Sequence, residues 1–254
     1  MGLWMDGPIF VIALGAIAAG FVQGLSGFAF SLVAMSFWAW SVEPKLAAVL
    51  AVFGGLSGQI LAALSVRRGF DFQRLLPFLI GGLVGIPLGT WLLPKLDIVL
   101  FKAVLGALLV VWCPFMLFAR HLPKITMGGR AADGVIGLIG GVCGGLGGFS
   151  GALPTLWCTL RGMEKEAQRS IIQTFNLAML GTTMASYVIA GMVTREMLPM
   201  FGIVLPAMLI PALLGARIYI GISEATFRNI VLSLLTGSGV ALLASSLPAI
   251  VGRM

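Results

Sequence analysis

Apolar residues run along this chain in long stretches separated by short polar connections. Eight segments stand out: 8–40, 44–66, 74–94, 98–119, 134–160, 166–191, 196–222 and 225–251. A helix of about 20 apolar residues crosses a hydrocarbon core about 30 Å thick, so each run is long enough to be a membrane segment. The connections, among them Arg67 to Gln73, Pro94 to Asp97 and Arg161 to Lys165, are too short to hold a soluble domain. The pattern therefore predicts an all-α polytopic integral membrane protein, with residues 1–254 forming a single transmembrane domain. Two segments are interrupted, 8–40 at Gly24 to Gly27 and 134–160 around Gly147 to Gly151. As one helix, segment 8–40 would be about 50 Å long, well beyond the bilayer core. It is expected to break at its glycines.

The chain also repeats itself. Gly24-Leu-Ser-Gly27-Phe28 matches Gly145-Leu-Gly-Gly148-Phe149, and Arg74-Leu-Leu-Pro77 matches Glu196-Met-Leu-Pro199. Pro87 with Gly89 matches Pro211 with Gly215, and Phe101-Lys102 matches Phe227-Arg228. The order is the same in both halves, which predicts a duplication with one copy over about 8–120 and the other over about 133–251. Parity decides their relation. Four crossings per half leave the copies parallel, whereas two re-entrant first segments leave three crossings per half and invert the second copy. Cationic residues favour one side of a membrane. Plain alternation of eight spans divides the sixteen bases eight against eight. With 8–40 and 134–160 re-entrant the division is eleven against five, the larger group including Arg67, Arg68, Arg74, Arg120, Lys124, Arg130, Arg161, Lys165 and Arg169. The bias favours inverted halves, with the 67–74 and 120–133 connections cytoplasmic and both termini outside.

Composition agrees with lipid as the main solvent. Apolar residues make up 59% and charged residues 10%, too few to cover a soluble protein of 254 residues. Net charge is +7, but the bases are scattered over loops without interleaved exposed aromatics, so no nucleic-acid partner is expected. Cys113, Cys143 and Cys158 form no paired motif and His121 is the single histidine, so neither a metal nor another cofactor is expected. All nine acids, Asp133 among them, fall at loops or segment ends. That disfavours a cation pump and an intramembrane acid–base enzyme. Trp38, Trp40, Trp91 and Trp157 read as interfacial anchors.

What the apolar segments do contain is neutral polar groups beside glycine: Gln23, Ser26, Gly27 and Ser31 at the first break, and Gly147, Gly148, Ser150, Gly151 and Thr155 at the second. A broken helix exposes backbone N–H groups at the start of its second half, and these attract anions without a buried cation. Two such breaks facing each other would make an anion site, with Ser26 and Ser150 as hydroxyl donors. The amides Gln59 and Asn176 are candidates to face the same pathway. Most other glycines have the small-xxx-small spacing of close helix packing.

The duplicated Gly24 to Phe28 and Gly145 to Gly151 runs, with Pro154 behind the second and two four-segment halves, resemble the sulfite exporter TauE/SafE family, also called the 4-toluene sulfonate uptake permease family. The resemblance covers essentially the whole chain. It implies a multi-pass permease of a bacterial inner membrane carrying sulfite, a sulfonate or a related small anion. The expected partners are that anion, the lipid bilayer and a coupling ion, proton or sodium, and homodimerisation is compatible with a chain of this kind. A passive anion channel and a non-transporting scaffold are the alternative functions.

Overall fold

The computed structural model describes residues 6–26, 29–65, 72–119, 124–125, 128–217 and 224–252. Every regular element among them is helical. The first half contains α1 (Asp6–Ser26), α2 (Phe30–Trp38), α3 (Pro44–Ser65), α4 (Phe72–Leu92) and α5 (Ile98–Phe118). The second contains α6 (Gly129–Gly147), α7 (Ala152–Leu160), α8 (Lys165–Ile189), α9 (Leu198–Arg217) and α10 (Glu224–Val251). Among the described residues, six stretches are long and apolar enough to cross a membrane: Ile9–Ser26, Pro44–Leu64, Phe72–Lys95, Ile98–Phe118, Arg195–Gly215 and Thr226–Val251. They lie on α1, α3, α4, α5, α9 and α10. Helix α6 is glycine-rich and α8 carries Gln173, Thr174, Asn176, Thr182 and Thr183, which lowers the hydropathy of both.

Each interrupted segment becomes a long helix followed by a nine-residue one. The return direction is visible from the side chains. Near the end of α2, Trp38 Nε1 donates to the Ile12 carbonyl, 3.2 Å away and near the start of α1. At the end of α7, Trp157 Nε1 and Arg161 Nη1 both donate to Asp133 Oδ1, at 2.7 and 2.8 Å, one turn into α6. The short helices thus fold back along the long ones, making two hairpins whose open ends are latched. Ile12 and Asp133, which receive the two indole N–H groups, are 121 positions apart.

These latches involve three residues read from the sequence and correct the reading of Trp38. Trp38 is fully buried rather than interfacial, and half-buried Trp157 is tied to a carboxylate. Asp133 is buried inside the start of α6, where it is ion-paired to Arg161. Trp40 and Trp91 are exposed at helix ends, with Lys102 over the first ring and Lys95 over the second.

Glycine sets which long helices touch. On α4, a Cβ at Gly81, Gly85 or Gly89 would collide with the carbonyls of Gly134, Leu138 or Val142 on α6. In return, Gly137, Gly141 and Gly145 leave room for the carbonyls of Phe78, Gly82 and Ile86. The α1–α9 pair does the same with Gly20 against the Met208 carbonyl, Gly24 against that of Ala212 and Gly215 against that of Phe21. Helix α5 meets α10 where Gly106 faces the Gly239 carbonyl. Backbones this close gain dispersion and Cα–H···O contacts that larger residues would prevent. Exchanging α1 with α6, α4 with α9 and α5 with α10 maps this set of pairs onto itself. Helices α4 and α9 run straight through Pro77 and Pro87, and Pro206 and Pro211, without a break.

Candidate functional site

The tips of the two hairpins meet in the middle of the bundle. At the first, Ala29 turns the chain at a left-handed φ of 78° and α2 starts at Phe30. Helix starts leave backbone N–H groups without intrahelical acceptors. One of these, Phe30 N–H, donates to Gln23 Oε1 at 3.1 Å, so an amide seven residues back on α1 caps α2. The same amide's Nε2 is buried and has no acceptor among the described residues. At the second tip, α6 ends at Gly147 and Gly148 takes a φ of 79°, a conformation that glycine adopts without a Cβ penalty. Its N–H donates to the Gly144 carbonyl at 2.7 Å. A Cβ on Gly148 would also run into Ser31 Oγ of the other hairpin.

Between the tips lies a cavity of about 30 Å³, lined by Gln23, Phe30, Ser31 and Gln59 from the first half and Gly148, Gly151, Asn176 and Leu180 from the second, with Ala29, Gly55 and Ala152. That volume accommodates little more than one water. Ser31 Oγ donates to the Ala51 carbonyl at 3.2 Å, fixing the start of α2 against α3. Ser150 Oγ donates to Asn176 Oδ1 at 3.1 Å, fixing the second tip against α8 and leaving the Asn176 amino group as a donor. Gly151 is pressed against that same amide. Trp112 Nε1, from α5, donates to the Ala152 carbonyl at 2.6 Å and holds α7 in place. Among the described residues that line it there is no carboxylate, histidine or cysteine.

Five of the nine expected site residues therefore line one cavity: Gln23, Gln59, Gly148, Gly151 and Asn176. Ser150 is buried just behind it, reaching it through Asn176. Ser26 Oγ donates back to the Val22 carbonyl at 2.7 Å, and Gly147 packs toward Phe149 and Met35, so neither lines the space. Gly27 lies outside the described residues. Phe30, Gly55 and Leu180 line the cavity without having been singled out. A signal for them was present: Phe30 and Gly151, Ser31 and Ala152, Gly55 and Asn176, and Gln59 and Leu180 are all separated by 121 positions.

A family model described as Sulfite exporter TauE/SafE matches residues 12–242. No curated protein and no solved structure matches the chain.

Proposed function

The chain belongs to the sulfite exporter TauE/SafE family, and on that premise we propose that it is a secondary transporter whose anion site is the cavity between the two hairpin tips. The family and the six long apolar helices make it a multi-pass membrane protein for sulfite or a related anion. The observation that carries the proposal is the four residue pairs 121 positions apart around one cavity. They support a pseudo-two-fold axis through the site, as expected where two repeats share a substrate.

We read the repeats, about 8–120 and 133–251, as inverted halves of one domain. Arg74, Arg130 and Arg161 line one common cavity, a grouping that supports re-entrant hairpins. Plain alternation would put Arg161 across the membrane from the other two. Each half then crosses three times, through α3 to α5 and α8 to α10, in a bacterial inner membrane. The anion is held by the Gln23 and Asn176 amides and by N–H groups at the starts of α2 and α7, in a site that excludes cations because it offers donors and no carboxylate. The cavity is smaller than a sulfite ion with its hydrogen bonds, so binding parts the tips. Rocking of one half against the other then alternates access.

The test is uptake and counterflow of labelled sulfite and sulfonates in proteoliposomes. Exchange of external label against internal unlabelled anion is expected, and Gly148→Leu with Ser150→Ala should remove it. Conduction without counterflow would make the protein a channel. Transport unchanged in the double variant would sink the site.

A further inference from the structure

Leu180 stands in the wall of the central cavity beside polar groups. It lies one turn along α8 from Asn176, so the amide and the isobutyl group share a face of that helix. Its side chain is buried and bridges the two halves. A Cβ on Gly55 of α3 would come to 3.3 Å from Leu180 Cδ1, and one on Gly148 at the second tip to 3.3 Å from Cδ2. Each methyl group therefore rests on a glycine. Ser31 Oγ lies beside the same two glycines, 3.2 and 2.6 Å from where those Cβ atoms would be. The position 121 residues before Leu180 is Gln59, so of this pair one half gives the cavity an amide and the other a hydrocarbon group.

A small sulfur oxoanion divides in the same way. Sulfite turns three oxygens to one side of sulfur and a lone pair to the other, and in a sulfonate carbon takes the place of the lone pair. The oxygens need donors such as the Gln23 and Asn176 amides, whereas carbon needs apolar contact. Leu180 already occupies the space over Gly55 and Gly148 where carbon would find it. On the reading of this cavity as the transport site, we propose that Leu180 sets the size of the anion accepted. It admits sulfite and a one-carbon sulfonate and turns longer alkanesulfonates away. Parting of the tips keeps the limit in place, because Leu180 and Asn176 travel on the same helix. Shortening Leu180 opens the space, since neither glycine beneath it has a side chain to refill it. Each methylene that an apolar pocket admits or refuses is worth about tenfold or more in discrimination.

The experiment is counterflow of labelled sulfite in proteoliposomes of the full chain, with unlabelled methane-, ethane-, propane- and butanesulfonate as competitors. Each competitor is scored against methanesulfonate in the same variant, so changes in overall rate or in the amount of folded protein cancel. In the wild type, propanesulfonate is expected to compete about tenfold less well than methanesulfonate. Leu180→Ala should erase that ratio, and Leu180→Val, one methylene shorter and milder for the fold, should bring it part of the way. Leu105→Ala, at a similarly buried leucine of α5 that does not line the cavity, should keep the wild-type ratio. Equal competition by the whole series in the wild type would overturn the proposal, as would an unchanged ratio in both Leu180 variants. A ratio erased equally by Leu105→Ala would overturn it too, by reducing Leu180 to packing. A wild type that exchanges no sulfite would remove the transport reading itself, and the proposal with it.

Discussion

Gln23 shows how much one amide can settle. Its oxygen caps α2 through Phe30 N–H, and its nitrogen is left buried beside the cavity with no described acceptor. Leaving a buried donor unsatisfied costs about 1–3 kcal/mol, a cost that an anion accepting from it would remove. Gln23→Glu separates the two roles, since a carboxylate still accepts from Phe30 N–H but repels an anion. Uptake is expected to fall at least tenfold, about 1.4 kcal/mol of barrier, and burial of the unpaired carboxylate should lower the unfolding temperature as well. Normal uptake by this variant would remove Gln23 from the site. Glutamine and asparagine in apolar segments were readable as candidates because a buried amide needs a partner. Ser26 falls outside the cavity for a physical reason: a helical serine can satisfy its hydroxyl on the carbonyl four residues back, and here it does.

At the scale of helices, glycine has two effects that composition alone does not separate. Gly85 faces the Leu138 carbonyl, while Gly202 on α9 has open space where a Cβ would go. Gly85→Ala is therefore expected to lower the melting temperature in detergent, overpacking typically costing about 1–3 kcal/mol. Gly202→Ala should raise it slightly, a helical Gly→Ala change gaining up to about 1 kcal/mol. Equal shifts of one sign would show that the α4–α6 contact is looser than described. The segments, their breaks and the small-xxx-small spacing were legible from period and clustering. The latches were not, because Trp38 and Trp157 look alike in sequence as tryptophans near segment ends. Only the fold-back of α2 and α7 reveals that each reaches the beginning of its own hairpin.

Across the whole molecule, the arrangement to be tested is the inverted pair of halves. In a background free of the three native cysteines, single cysteines at Arg130 and Glu164 are expected to react with an impermeant maleimide from the same side, and one at Ser41 from the opposite side. Labelling of 130 and 164 from opposite sides would restore eight plain spans. The correspondence between the two halves was visible in sequence as short glycine and proline matches, but the grouping of positions 121 apart around one cavity was not. Of the pairs that line it, Ser31 with Ala152, Gly55 with Asn176 and Gln59 with Leu180 each keep one polar member. A search for matching residues misses positions that correspond in space and differ in chemistry.

The latches carry the same inequality to the mouths of the hairpins. Ile12 and Asp133 are 121 positions apart, yet one hairpin closes with an indole on a carbonyl and the other with an ion pair as well as an indole. Salt weakens the second, to an extent limited by the burial of Asp133, and leaves the first untouched. The two hairpins are thereby held by clasps of different kind, only one of which carries charge. Raising salt on the Arg161 side alone is expected to change the exchange rate, and Asp133→Asn to make that rate indifferent to salt. Rectification would then reside in a charged clasp far from the cargo, free to change while the cavity stays the same.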